Sequence, residues 1–223
     1  MPLAEFFPMW DQLTPEDRAA LTRAAVSRSV PAGTLLSAGE DCLGLVLVRA
    51  GQLRAFHLSP EGREITLYRL FARDICLFSA SCLMRGIRLN LSIQAEKDSL
   101  LWILPAAAFQ PVQARSAPLA GFVNQIMAER FAEVMEKMEQ VLWDSMDRRL
   151  AAFLLEESAL EGADELTLTH ERIARHLGTA REVVTRLLRQ FQGVGLVRLS
   201  RGTVALTDRA GLRARAQGRA PRP

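Results

Sequence analysis

The spacing of hydrophobic residues divides the chain into an N-terminal part of short apolar runs and a C-terminal part in which apolar residues recur at helical spacing. Between residues 30 and 104, the apolar runs are separated by turn residues such as Gly39, Gly51 and Gly86. Short strands at this spacing are typical of an antiparallel sandwich or barrel rather than of alternating strands and helices. The predicted strands are Thr34–Leu36, Leu43–Val48, Leu53–Phe56, Ile65–Leu67, Leu91–Ile93 and Leu100–Leu104.

Short helices are predicted on both sides of this strand-rich region. Thr14 can cap a helix that has Pro15 at its first position and acidic residues in its first turn, and this helix should reach about Val26. A second short helix is expected around Phe109.

Residues 118–143 are predicted to form one long helix, because apolar residues recur at steps of three and four and no glycine follows Gly121. The periodicity fits an amphipathic helix that packs on the strand-rich domain, and equally a helix that pairs with a second copy of the chain. The pattern alone does not separate these two arrangements. The residues assigned to the pairing face are Leu119, Phe122, Val123, Ile126, Phe131, Val134 and Met138.

The most specific pattern lies between residues 169 and 191 and predicts a helix-turn-helix, which follows a helix from near Asp147 to about Gly162. Thr169 can cap the first helix of the motif, and Gly178 supplies the tight turn. The second helix is predicted to open at Thr179. The positions predicted to be buried are Ile173, Ala174, Leu177, Val184, Leu187 and Leu188.

Long polar side chains on the exposed face of the second helix suit the major groove of DNA. Arginine can donate two hydrogen bonds to guanine O6 and N7, and glutamate can accept one from cytosine N4. Base contacts are therefore predicted for Arg181, Glu182, Thr185 and Arg186. The alternative for Glu182 is a capping box with Thr179, which would use its carboxylate on a backbone amide.

Residues 195–206 predict a two-stranded wing with Ser200-Arg201-Gly202 at its tip. A hairpin that faces only solvent is the alternative. From about Arg213 the chain is rich in Arg, Ala, Gly and Pro, and it is expected to be disordered. Phosphate contacts are predicted for Thr169, Thr179, Arg189, Arg198 and Arg201.

The charge is unevenly distributed along the chain. Residues 1–168 hold 16 Lys+Arg against 22 Asp+Glu, whereas residues 169–223 hold 12 against 3. A basic segment that follows an acidic body indicates that one end of the chain meets a polyanion. Arginine itself is weak evidence, because 26 of the 28 basic residues are arginine.

Composition and length exclude several classes of protein. The hydrophobic fraction of 49% fits a globular chain of two modest domains, and no apolar run approaches the length of about 18 residues that a membrane span needs. Without a leader-like N-terminus, the expected location is the cytoplasm. Cys42, Cys76 and Cys82 suit neither a disulfide scaffold nor a four-ligand zinc site. An enzyme is not expected, because no convergent catalytic constellation is found.

The order of these parts resembles the Crp/Fnr family of bacterial transcription regulators. The resemblance covers most of the chain and rests on residues 168–174, 178–188 and 195–197. It implies an α+β fold with an N-terminal antiparallel β-roll of the double-stranded β-helix or jelly-roll type, a long dimerisation helix and a C-terminal winged helix-turn-helix. The implied boundaries are 1–115, 116–145 and 146–223. The resemblance also implies a homodimer on a near-palindromic operator, with RNA polymerase as a protein partner.

One departure from the family concerns the effector. The cyclic-nucleotide binders of the family hold the cyclic phosphate with an Arg-Ser/Thr pair, where this chain has Leu89-Asn90. Arg88 is one place off and, in a strand, faces the other side. Cyclic AMP is therefore not expected as the effector.

The signal is left open among thiol redox chemistry, haem and another small molecule. The N-terminal four-cysteine arrangement of the family's iron-sulfur sensors is absent, but Cys76 and Cys82 could form a disulfide or hold a ligand as thiolates. Buried reduced cysteines are the alternative. His57 is a candidate haem ligand or an ordinary strand residue. A broader alternative is a sensor or protein-interaction module in which DNA binding is secondary.

Overall fold

The computed structural model describes residues 1–37, 43–76 and 91–218. The chain forms two compact units, the first made of residues 1–58 and 66–135 and the second of residues 59–65 and 136–223. The division falls within the long helix, because residues 117–143 continue from one unit into the other.

The first unit is built on an antiparallel sheet, as the apolar runs predict. Its described strands are β1 (Val26–Val30), β2 (Leu35–Ser37), β3 (Leu45–Leu58), β4 (Glu64–Leu70), β5 (Ile75–Cys76) and β6 (Ser92–Leu104). Their order is β1-β6-β3-β4, with β2 paired to β6 and β5 paired to β3. The first strand, β1, is not among the predicted strands and begins at Val26, where the predicted helix ends, and four of its five residues are exposed.

Two pairs of predicted strands are in fact continuous. The runs on either side of Gly51 form the single strand β3, and the runs on either side of Lys97-Asp98 form β6. The predicted breaks lie opposite each other, where the pairing register shifts around Ala50 and Gln52. Gly51 has φ +93°, and a Cβ there would lie 2.5 Å from the Asp98 carbonyl oxygen. The two strands therefore bend together at a bulge that only glycine fits.

Helices flank the sheet close to the predicted positions. The first α-helix is α1 (Pro15–Ala24), whose cap is confirmed because Thr14 Oγ1 accepts a hydrogen bond of 3.2 Å from the Asp17 amide. After the sheet come α2 (Ala106–Arg115) and α3 (Ala117–Trp143). In the described part of the chain, no helix is both long and apolar enough to cross a membrane.

The long helix α3 carries two different apolar faces. Leu119 and Ile126 are buried in a core cluster of their own unit, and Phe122 and Val123 pack against the same cluster. Val134 packs against a second cluster, inside the sheet. Leu119 and Ile126 are therefore covered by their own chain, and their assignment to a pairing face is corrected. Phe122, Val123 and Val134 are half-buried, and their place on a pairing face stays a prediction. Of the predicted set, Phe131 and Met138 remain exposed.

The exposed face of α3 is a separate stripe that follows the alternating three- and four-residue steps of a coiled-coil seam. Its residues are Ala117, Gly121, Asn124, Ala128, Phe131, Met135, Met138 and Leu142. All are exposed except the half-buried Met135, and Phe131 and Leu142 expose 66% and 61% of their surface. We call these eight residues the outer stripe.

The second unit contains helices packed on a small antiparallel sheet. Its elements are α4 (Met146–Glu161), β7 (Glu165–Leu166), α5 (His170–Leu177), α6 (Arg181–Gly193), β8 (Val197–Ser200), β9 (Thr203–Leu206) and α7 (Arg209–Ala216). The sheet order is β7-β9-β8. One hydrophobic core unites these elements, and it includes Leu150, Ile173, Leu188 and Val204.

The prediction of disorder from about Arg213 is wrong as far as Gly218, and residues 219–223 lie outside the described part. Asp208 caps α7 by accepting a hydrogen bond of 2.8 Å from the Gly211 amide. Leu212 is fully buried in the core of this unit, and the buried Arg215 lies 3.4 Å from the Asp147 carboxylate. The arginine-rich composition suggests disorder, but the segment forms an amphipathic helix that packs through the single large apolar residue Leu212.

Candidate DNA-binding surface

The helix-turn-helix forms where the sequence predicts it. Thr169 Oγ1 accepts a hydrogen bond of 3.1 Å from the Arg172 amide and so caps α5. Gly178 ends that helix at φ +67°, where an L side chain would be strained. All the apolar positions predicted to be buried in the two helices are buried. This core fixes the position of α6 against α5.

The capping box between Thr179 and Glu182, which is the alternative to a base contact for Glu182, does not form. The residue that precedes α6 is Ala180, and no side chain caps the helix. Thr179 lies one residue further out, so its hydroxyl is not at the capping position. Glu182 is exposed in the first turn of α6, where its carboxylate does not serve as a helix cap.

The exposed side of α6 carries two neighbouring rows of polar residues, each with a four-residue step. One row consists of Arg181, Thr185 and Arg189, and the other of Glu182, Arg186 and Gln190. All six residues line one open depression on the surface. The structure therefore brings together the four predicted base-contact residues, together with Arg189.

Gln190 was not predicted as a site residue. It lies one helical turn after Arg186, so the four-residue spacing could have identified it. A glutamine amide can donate to adenine N7 and accept from adenine N6. Gln190 therefore adds an amide to a surface that otherwise carries guanidinium, carboxylate and hydroxyl groups.

Thr185 is held by contacts inside the motif. Its hydroxyl donates a hydrogen bond of 2.9 Å to the Arg181 carbonyl, one turn earlier in α6. The Nδ1 atom of His170, at the start of α5, lies 2.8 Å from the same oxygen. The prediction that Thr185 contacts a base therefore depends on its methyl group and its remaining lone pair.

Three guanidinium groups and one carboxylate line the depression on α6, so its net charge is positive. Burial lowers the pKa of His170 below its usual value of 6.5, and the charges of Arg181 and Arg189 lower it further. Both effects disfavour a positive imidazolium beside the two guanidinium groups. The negative charge of an approaching phosphate would instead be attracted by the two guanidinium groups.

The predicted wing is present as a tight hairpin. Ser200 of β8 pairs with Thr203 of β9, so that Arg201 and Gly202 form a two-residue turn. Arg198 and Arg201 are both exposed. Their side chains are available for the predicted phosphate contacts.

The predicted sensor residues lie in the first unit, and only some of them are described. Cys76 is buried in β5. Burial of the Tyr68 phenol raises its pKa, and the neighbouring Cys76 thiol raises it further. His57 is exposed near the end of β3. Cys82 and the Leu89-Asn90 pair lie outside the described residues.

The sequence matches two described protein domains. Residues 148–215 match the Crp-like helix-turn-helix domain, and residues 27–116 match the cyclic nucleotide-binding domain. These two segments include the second unit's motif and most of the first unit's sheet.

Whole proteins are also similar to the chain over most of their length. The cyclic AMP receptor protein of Thermus thermophilus is 27% identical over 204 residues, which cover 91% of this chain and 94% of that protein. The transcriptional activator protein FnrA of Stutzerimonas stutzeri is 26% identical over 193 residues, which cover 83% and 78%. A solved structure from Eubacterium rectale, described as a regulator of the crp/fnr family, is 49% identical with a TM-score of 0.93, and the match covers 95% of this chain and 99% of that one. The chain therefore belongs to the Crp/Fnr family of transcription regulators, and its helix-turn-helix is a DNA-binding domain.

Proposed function

We propose that the protein binds a near-palindromic operator as a homodimer, with α6 of each copy in the major groove. The observation that carries the proposal is the pair of polar rows on α6, which line one open depression. Arg181 and Arg186 would each donate to guanine, and Glu182 would accept from cytosine N4. Because no capping box engages Glu182, its carboxylate remains available for that contact.

Phosphate contacts would surround these base contacts and fix the register of the protein on the duplex. The residues proposed for this role are Thr169, Thr179, Arg189, Arg198 and Arg201. The exposed positions of Arg189 on α6 and of Arg198 and Arg201 on the wing support the proposal. Thr169 already accepts a hydrogen bond as a helix cap, and its hydroxyl hydrogen could still donate to a phosphate.

The second copy of the chain is proposed to cover the outer stripe of α3. A stripe with heptad spacing pairs most simply with an identical stripe, because a two-fold axis makes one surface complementary to itself. Phe131 and Leu142 each expose well over half of their surface to water. Because they lie in one continuous stripe rather than singly, this exposure marks an interaction surface. The exposed Asn124 would fix the register of the two helices.

Selection of bound duplexes from a random pool tests the proposed operator. We expect a protected region of about 20 base pairs with two inverted half-sites one helical turn, or about 34 Å, apart. Each half-site should contain a G·C pair where Arg181 and Glu182 meet the bases. Affinity that depends on salt but not on sequence, for every duplex offered, would contradict the proposal.

We further propose that the regulator responds at its N-terminal domain to a signal other than cyclic AMP, and that it acts together with RNA polymerase. One relative is named a cyclic AMP receptor protein, but the sequence here has Leu89-Asn90 where the family's Arg-Ser/Thr pair would hold the phosphate. Without that cation, the cyclic phosphate would be buried with its charge uncompensated.

Titration with cyclic AMP tests this second proposal. We expect cyclic AMP at about 1 mM to leave the operator Kd unchanged within about twofold, because a ligand shifts an equilibrium only through differential affinity. A clear tightening of operator binding by cyclic AMP would contradict it. Absorption spectra and thiol counts on protein purified without air would then test the redox and haem proposals for Cys76, Cys82 and His57.

A further inference from the structure

His170 connects the two helices of the DNA-binding motif at the edge of the polar surface. It is the first residue of α5, and its Nδ1 atom lies 2.8 Å from Thr185 Oγ1 on α6. Thr185 in turn lies between Arg181 and Arg189 in one row of that surface. His170 was not among the predicted site residues.

The hydrogen bonds of Thr185 determine which nitrogen of His170 carries a proton. A threonine hydroxyl has one hydrogen, and Thr185 uses it on the Arg181 carbonyl at 2.9 Å. Its oxygen must therefore accept the second bond, so that Nδ1–H of His170 is the donor. In the neutral ring Nε2 then has only a lone pair, and Nε2 is the atom that gains a proton in acid.

The charges around the ring act against that proton in the free protein. Arg181 and Arg189 face His170 from α6, whereas the neighbouring Glu171 of α5 lies 3.6 Å from Arg175. Partial burial of the ring acts in the same direction. A neutral imidazole with an acceptor nitrogen is a poor neighbour for a phosphate oxygen, which needs a donor.

We propose that His170 belongs to the DNA interface and takes up one proton at Nε2 from the solvent when the protein binds duplex DNA. Protonation converts Nε2 from an acceptor into a cationic donor for a phosphate oxygen, while Nδ1 keeps its hydrogen bond to Thr185. The inference rests on the proposed placement of α6 in the major groove, and it adds a pH-dependent phosphate contact to that placement.

The direction of the pH effect follows from linkage. The pKa of His170 is lowered in the free protein, and a phosphate beside Nε2 raises the pKa in the complex. Binding is therefore favoured as the pH falls from the bound pKa toward the free pKa. One linked proton increases the affinity by at most about tenfold per pH unit in this window.

The test measures the Kd of the selected operator duplex between about pH 5.5 and about pH 8.5 at constant ionic strength. We expect the affinity of the unmodified protein to rise at least about threefold toward the acid end. His170→Asn keeps an amide N–H near the position of Nδ1 but cannot titrate, so its affinity should lose this slope. Arg213→Ala is the matched control, because it removes a charge at an exposed position of α7 outside the motif, and its slope should equal that of the unmodified protein.

A second measurement uses the unmodified protein, so that it does not depend on any variant folding. NMR titration of the His170 ring should give a higher pKa in the operator complex than in the free protein. Specific binding without a pH slope, a slope retained in His170→Asn, or an unchanged ring pKa would each overturn the inference and leave the proposed function intact. Failure to bind any duplex specifically would instead overturn the proposed function, and this inference with it.

Discussion

Arg181 and Arg189 lie two turns apart in the same row of α6, yet they are proposed to do different work. A guanidinium that reads guanine edges contributes to the choice of sequence, whereas one that pairs with phosphate contributes equally on every sequence. The distinction can be measured, because phosphate contacts release counterions and base contacts do so much less.

Arg181→Ala should weaken binding to the selected operator by about 1 to 3 kcal/mol and relax the preference at one base pair of each half-site. Arg189→Ala should weaken binding to all duplexes and reduce the slope of log K against log salt by about one per copy. Fluorescence anisotropy over a range of salt concentrations, on operator and scrambled duplexes, measures both effects.

Arg213→Ala is the control for this pair. It removes the same charge from an exposed position on α7, and we expect the Kd for either duplex to change little. An Arg181→Ala protein that bound operator and scrambled duplex with equally reduced affinity would place Arg181 among the phosphate contacts instead.

At this scale, the sequence predicts residues that act alone better than residues that act through a partner. The exposed arginines of α6 follow from their spacing after Gly178. The role proposed for His170 depends on the bond from Nδ1 to Thr185, which joins residues 15 positions apart on different helices. No periodicity within one helix contains that information.

Among the elements, α7 is the one that the composition did not predict, because its arginine-rich sequence suggests disorder. Leu212 is fully buried in the core of the second unit, so Leu212→Ala should reduce the free energy of unfolding by about 2 to 5 kcal/mol. The loss combines the transfer of the removed methyl groups with the cavity that remains. Urea denaturation followed by circular dichroism measures it.

Arg213→Ala again provides the comparison, because Arg213 is the exposed neighbour of Leu212 on the same helix. Its free energy of unfolding should change by no more than about 0.5 kcal/mol. Equal stabilities of the two variants would indicate that α7 does not contribute to the core in solution.

The predicted elements succeed where one period dominates and fail where two effects overlap. The helices of the DNA-binding motif follow from one apolar face each, and Thr169 and Gly178 mark the two ends of α5. The single strands β3 and β6 were divided, because Gly51 and Lys97-Asp98 resemble turns when each is read alone. In the folded sheet, the two irregular points face each other and make one shared bend.

At the scale of the whole molecule, the outer stripe is the proposed seam between two copies of the chain. Phe131→Glu places a charge in the middle of that stripe, which should convert the dimer into monomers, since a buried and unpaired carboxylate is strongly unfavourable. Sedimentation velocity measures the change in mass. Affinity for a duplex with two half-sites should fall with it, because linked binding to both half-sites is lost.

Gln140→Glu introduces the same charge on the opposite side of α3. Gln140 lies between Met138 and Leu142 in the sequence, but the helical turn places it on the side away from the outer stripe. It should remain a dimer with unchanged operator affinity. A Phe131→Glu protein that remained dimeric would show that the outer stripe is not the seam.

Periodicity predicts the long helix, and its pairing with a second copy stays a prediction. It also assigns Leu119 and Ile126 to the pairing face, although both are buried in the core of their own unit. Leu119 and Ile126 are as apolar as Phe131 and Met138 and recur at compatible steps. Only the packing of the helix on its own unit separates the inner set from the outer one. A sequence pattern reports that a helix is apolar on two sides without stating what covers each side.

The outer stripe also changes in side-chain size along its length. Its first half contains Ala117, Gly121 and Ala128, and its second half contains Phe131, Met138 and Leu142. Helix axes can approach to about 8 Å across small residues but stay near 10 Å across large ones. In the proposed dimer the two helices would thus form a shallow wedge that is narrow at Ala117 and wide at Leu142. The volumes of Phe131, Met138 and Leu142 would then determine the distance between the two chains at the C-terminal ends of their α3 helices.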